Sequence, residues 1–188
     1  MTRDEMLAAW HIETVSASLR LVDRGSLLST FVIFNGAATP RRVTADWNDN
    51  AGRDDLFRLV GLIAIAEAAV AIVWLSEAWV VLGNPNLELP PSKSERRQEV
   101  LLSAVIGRNT DTGELLHQAA VRHMDRDLAG KLVGLSDMDL PPGVEAQGRL
   151  VELLPPETPT LAERRRAREM VHRATKRIVR GRPPFLYI

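Results

Sequence analysis

The stretch LFRLVGLIAIAEAAVAIVWLSEAWVVL, residues 56–82, is almost wholly apolar yet carries Glu67 near its middle and Glu77 near its end. Its length alone permits a membrane span, since roughly 20 apolar residues cross the hydrocarbon of a bilayer. The carboxylate argues otherwise, because an ionised group at the bilayer centre costs about 2.5 to 3.5 kcal/mol on insertion scales. Glu67 falls near the centre of the one window long enough to span. Arg53, Asp54, Asp55 and Arg58 before it are of mixed charge, without the basic excess that orients a spanning helix. The expectation is therefore a buried helix leading into a central strand, in a soluble cytoplasmic protein with no membrane contact. Residues 1–20 place charges on both sides of a short apolar patch with no small-residue cleavage site, so no signal peptide is read there.

At 100° per residue Leu56, Leu59, Val60, Ile63, Val70 and Trp74 share one helical face, while Ala66, Ala68, Ala69 and Ala71 keep the helix slim all round. The composition then turns β-branched and aromatic at Ile72, Val73, Trp74, Val80 and Val81. This places the helix-to-strand change between residues 69 and 75. The helix is expected to begin near Arg53, with Asp54 and Asp55 at its positive end. Glu67 projects about 20° from the centre of its apolar face. A carboxylate there must be paired, hydrogen-bonded or protonated. Glu67 is the one catalytic candidate, as a general acid or base, and a structural pairing with an Arg or an indole N–H is the favoured account.

Around this centre the pattern reads as α+β. Residues 3–23 space Met6, Trp10, Ile12 or Glu13, Ala17, Leu21 and Val22 as an amphipathic helix. Thr2 and Glu5 suit a capping box, and Gly25 a left-handed stop. Residues 28–34, LSTFVIF, read as a strand ended by Asn35-Gly36, and residues 37–53 as a polar surface loop in which Trp47 needs an anchor. Strands at 74–81, 98–106 and 114–124 predict an antiparallel meander, the last two joined by a long Gly-containing turn. The predicted core is a three- to four-stranded, mainly antiparallel sheet packed by the long buried helix. It occupies residues 1–131, with a Pro-rich linker over 132–158 and a basic helix with an apolar tail over 159–188.

That last segment begins with a second capping box, Thr160 and Glu163, and carries the stripe Ala167, Met170, Val171, Ala174 and Ile178. Net charge over the chain is zero. Residues 159–188 nevertheless hold nine Lys or Arg against two Glu, so the remainder is acidic by the same amount. Such asymmetry marks contact with nucleic acid or with an acidic protein surface. Arg164, Arg165, Arg168, Arg173, Lys176 and Arg177 are the candidate binding residues.

The chain has no cysteine, which removes disulfides, thiolate metal sites and cysteine nucleophiles together. His117 and His123 lie about 20 Å apart on one strand face and cannot share a metal. His123, Asp125 and Asp127 offer one imidazole and two carboxylates at alternate positions, of a type suited to a divalent cation. A charged turn at a strand end is the favoured account of them. No phosphate-binding Gly-rich loop, His-Glu-x-x-His or Gly-x-Ser-x-Gly is present, and no cofactor is implied. The sequence thus leans away from an enzyme and toward a non-catalytic binding or assembly protein, using its basic helix and apolar tail on a protein partner or a second copy of itself. A nucleic-acid-associated protein is the alternative. A metal-dependent hydrolase around His123, Asp125 and Asp127, with Glu67 or Glu99, comes third.

Overall fold

The computed structural model describes residues 1–37, 39–45, 50–81, 95–138, 149–180 and 186–187, without the side chains of 50, 149, 151, 176–180, 186 and 187. Trp47, the Pro90-Pro91 and Pro141-Pro142 punctuation and the Gly181 to Pro184 stop lie outside them, as do the side chains of Lys176, Arg177 and Ile178. The elements run α1 (Arg3–Arg24), β1 (Ser29–Phe34), β2 (Arg41–Ala45), α2 (Asn50–Glu67), β3 (Ala71–Val80), β4 (Gln98–Arg108), β5 (Leu115–Arg126), β6 (Leu132–Asp137), a 3-10 turn (Arg149–Leu153), α3 (Leu161–Arg180) and β7 (Leu186–Tyr187). All strands join one antiparallel sheet in the order β6-β5-β4-β3-β1-β2-β7, in which β7 contributes two residues.

Alternation along the strands divides the core into two layers. Phe31, Ile33, Val43, Ile72, Ala104 and Ile106 face α2. Val32, Val73, Leu75 and Val105 face Ala17 and Trp10 of α1 on the other side. Phe31 stacks on Trp74, and the Phe57 ring meets both edge-on, at centroid distances of 5.2 and 5.4 Å. The Trp74 indole N–H is satisfied by the Ser29 hydroxyl at 2.9 Å. Gly107 of β4 allows α1 to come close, because a Cβ there would meet the Met6 sulfur and stand 3.3 Å from the Val70 carbonyl oxygen.

Because α2 is apolar on more than one side, it needs a second cover. Val171 and Ala174 of α3 supply it, with Leu150, Leu153 and Leu154 at the 3-10 turn. Both capping boxes form: Thr2 and Glu5 at α1, Thr160 and Glu163 at α3. Hydrogen bonds from the Thr160 hydroxyl and backbone N–H hold the Glu163 carboxyl below its ordinary value.

The structure is α+β, and it differs from the sequence reading in particular elements. The sheet is larger than three to four strands. Residues 41–45, expected in a polar loop, form β2, because Val43 and Ala45 are buried against α2 while Arg42 and Thr44 face the other way. Residues 132–137, assigned to a linker, form β6 on the edge of the sheet. The helix starts at Asn50, earlier than Arg53, so Asp54 and Asp55 stand in its second turn. It ends at Glu67, and β3 begins at Ala71, so Val70 and Trp74 belong to the turn and the strand. No helix of the described residues is long and apolar enough to cross a membrane.

The end of α2 has a specific geometry. Ala69 N–H donates to the Ala64 carbonyl at 2.8 Å and Ala68 N–H to the Ile65 carbonyl at 3.2 Å, the paired bonds of a Schellman stop. Ala68 takes φ 53°, the left-handed conformation in which glycine is the usual residue. The left-handed region costs a non-glycine residue about 1 to 2 kcal/mol, and glycine's extra unfolded-state entropy returns about 0.5 to 1 kcal/mol of that. Ala68→Gly is therefore expected to stabilise the protein by about 0.5 to 1 kcal/mol, read as a higher urea midpoint at unchanged slope.

Candidate functional site

Two adjacent arginines of β2 organise the polar chemistry. Strand alternation turns Arg41 toward the α2 face and Arg42 toward the α1 face. The Arg42 guanidinium donates through both terminal nitrogens to the Glu13 carboxylate, at 2.6 and 2.7 Å, in a two-pronged pair. The Glu13 side chain is 8% exposed and that of Arg42 46%, so the carboxylate is the buried partner. The Glu13 hydrogen bond raises the Arg42 pKa further above its ordinary value. Helical spacing left Ile12 and Glu13 as alternatives for the inner face of α1; Glu13 is buried, and Ile12 and Val22 point outward.

Arg41 pairs with Glu67. Glu67 is the last residue of α2 rather than a mid-helix group, so its charge sits at the negative end of the helix dipole and is unfavourable without cations. Arg41 supplies one, Asn35 Nδ2 donates to the second carboxylate oxygen at 3.3 Å, and Arg164 Nε of α3 reaches the Ala66 carbonyl at 3.4 Å. These groups form the wall of a cleft of about 650 Å³ between the end of α2, the β1–β2 turn and α3, which Arg168, His172 and Thr175 complete.

The cleft brings together three of the residues singled out from sequence, Glu67, Arg164 and Arg168, and adds Arg41, Asn35 and His172. Three guanidiniums face one carboxylate. Arg168 and His172 have no acidic partner among the described residues, which leaves the cleft cationic and able to hold a carboxylate or phosphate oxygen through forked Arg donors. Arg164, Arg168, His172 and Thr175 recur along one side of α3 at near-helical spacing, a stripe distinct from the apolar one. The missed members Arg41, Asn35 and His172 carried only a weak signal. Arg-Arg-Val-Thr-Ala is a short strand whose alternation becomes readable only once its pairing with β1 is known.

The other candidates lie elsewhere. Arg165 is 3.8 Å from Glu169 on the outer side of α3. Arg173 lines a second hollow, of about 350 Å³, with Asp55, Arg58 and Met170. His123 Nδ1 donates to Asp125 Oδ1 at 3.0 Å, and Ser136 Oγ donates to the same oxygen at 3.1 Å. Asp127 is turned into the β5–β6 turn, where its carboxylate accepts the N–H groups of Ala129 and Lys131. Glu99 lies on the opposite face, at 2.6 Å from Arg126 Nε. Among the described residues no three His, Asp or Glu side chains gather as a metal would require. Glu77 accepts the Leu27 N–H.

Removing Arg42 strands a buried carboxylate, whereas removing Arg41 exposes a carboxylate that water already reaches. Arg42→Ala is expected to cost about 2 kcal/mol, discounted for its half-exposed cation, and Arg41→Ala about 1 kcal/mol, both by urea unfolding. Adding Glu13→Leu to Arg42→Ala is expected to restore most of the larger loss. Separately, the hydrogen bond from His123 holds the Asp125 carboxyl below its ordinary value. Its contribution to stability is thus present above the ordinary carboxylate range and lost as pH falls through the lowered value. Carboxyl NMR titration is expected to show that lowering, and His123→Ala to reverse most of it. Comparison with protein-family models, with curated proteins and with solved structures finds no match for this chain.

Proposed function

We propose that this chain is a non-catalytic binding protein that presents the arginine-bearing side of α3, and the cleft beside it, to an acidic surface on a protein partner. The observation that supports this reading is the division of α3 into two sides. Of its apolar stripe, Val171 and Ala174 pack against the α2 core and Ala167 is buried, while Met170 stays partly exposed. Arg165, Arg166, Arg168 and Arg173 remain exposed; Arg165 stands 3.8 Å from Glu169, Arg173 shares a hollow with Asp55, and Arg168 has no ion-pair partner among the described residues. An exposed row of cations along one side of a helix attracts a negatively charged partner surface.

The shape of the cleft favours a side-chain carboxylate reaching in to Arg168 over an extended phosphate backbone. Among the described residues, no Phe, Tyr or Trp lines the cleft or the exposed side of α3, so the stacking platform that single-stranded nucleic acid uses is missing there. Fluorescence anisotropy with a glutamate-rich peptide and with single- and double-stranded oligonucleotides, between about 50 and 200 mM salt, separates the two partner classes. The peptide is expected to bind with an affinity that falls as salt rises, and Arg168→Glu with Arg173→Glu to weaken it by about tenfold or more. Tighter capture of an oligonucleotide than of the peptide transfers the reading to nucleic acid. Binding of neither at the lower salt defeats both.

A further inference from the structure

The two walls of the cleft beside α3 differ in charge. On the β2 wall the charges cancel, because Arg41 pairs with Glu67, whose other oxygen accepts from Asn35. The excess of positive charge therefore stands on the α3 wall, on Arg164 and Arg168. Arg164 gives Nε to the Ala66 carbonyl and so answers the negative end of α2. Its terminal nitrogens make no hydrogen bond among the described residues, and Arg168 has no partner among them. Two cations on one wall of a hollow match a ligand of two negative charges.

Spacing decides which dianion fits. Arg164, Arg168 and His172 follow one another at four-residue steps on α3, about 6 Å apart along its axis. A doubly charged group held between neighbouring turns must be compact and must accept hydrogen bonds from several directions. A phosphomonoester meets both needs, with close to two charges and three acceptor oxygens on one centre. A dicarboxylate divides the same charge between two planar ends, and on the facing wall the second end would find only a cation already paired with Glu67. His172 adds an imidazole N–H donor in either charge state. Arg41 uses only Nη1 among the described residues, which leaves Nε and Nη2 to donate from the facing wall. Ile63, Ala66 and Val171 give the organic part of an ester an apolar surface, and about 650 Å³ is the size of a small-molecule site.

We infer that the cleft binds a small phosphomonoester, its phosphoryl group held between Arg164 and Arg168 with His172 beside it, and its organic part lying along Ile63 and Val171. This goes beyond the docking of an acidic protein surface, with which it shares Arg168. Calorimetric titration of the full chain with phenyl phosphate and with phenyl sulfate at about pH 8 tests it, since the two probes share a shape and differ by one charge. Phenyl phosphate is expected to bind with a dissociation constant of about 1 mM or below, and about tenfold more tightly than phenyl sulfate.

Arg168→Ala and His172→Ala change exposed side chains, so the circular-dichroism spectrum is expected to stay the same while each weakens phenyl phosphate by about fivefold or more. Arg173→Glu lies outside the cleft. It is expected to weaken the glutamate-rich peptide and to leave phenyl phosphate unchanged, so the docking reading and this one fail separately. No binding of phenyl phosphate at about 10 mM overturns the inference. So does equal affinity for phenyl sulfate, tighter binding of succinate, or binding that both Ala variants leave intact. A phosphoserine peptide held more tightly than free phosphoserine overturns the assignment to a small ligand.

Discussion

A carboxylate at the carbonyl end of one helix and a carboxylate shut beneath another both demand a cation, and in this fold both cations come from neighbouring residues of one short strand. Arg41 meets Glu67 on one face of the sheet and Arg42 meets Glu13 on the other. Because β2 is fixed in register by β1, the two guanidiniums cannot exchange roles without reversing every side chain of the strand. The pairs add less net energy than the aromatic cluster of Phe31, Phe57 and Trp74, since each costs desolvation that a packed ring does not. They contribute orientation: each helix is held at one rotation about its own axis, and that rotation decides what faces outward.

The consequence is clearest on α2 and α3. With Glu67 held by Arg41, the end of α2 presents its last carbonyl groups toward α3, where Arg164 reaches the Ala66 oxygen. The same rotation turns Val171 and Ala174 onto the apolar back of α2 and leaves Arg165, Arg166 and Arg168 on the outside. Cleft and basic surface are therefore by-products of satisfying one helix terminus. On the far side of the sheet, burying Glu13 rotates α1 so that Ile12, Val15 and Leu19 face water.

What could be read beforehand was what local rules decide. Thr2 with Glu5, Gly25, and Thr160 with Glu163 mark their helix ends because capping needs only neighbours in sequence. The β4–β5 hairpin was legible for the same reason. The end of α2 was not, since Ala68 occupies the left-handed position where a glycine would have announced it, and Glu67 consequently looked like a mid-face group. β2 was hidden by two arginines in five residues, whose partners lie on elements distant in sequence. Of the cleft, Glu67, Arg164 and Arg168 stood out individually; their meeting with Arg41, Asn35 and His172 is a matter of tertiary packing that no spacing rule carries.

The pairing of β7 with β2 carries a consequence of another kind. Thr44 and Ala45 find Tyr187 and Leu186 across most of the chain, after every other strand and helix has been made. During vectorial synthesis the rest of the sheet can assemble while β2 remains an open edge, its backbone N–H and C=O groups offered to any extended strand nearby. A nascent chain stalled before residue 186 would thus leave the outer edge of β2 open at Thr44 and Ala45, which β7 pairs, as well as at residues 41–43, which it does not. β7 narrows that border by two residues, and the interval before it is made is when β2 is most exposed to pairing with the wrong chain.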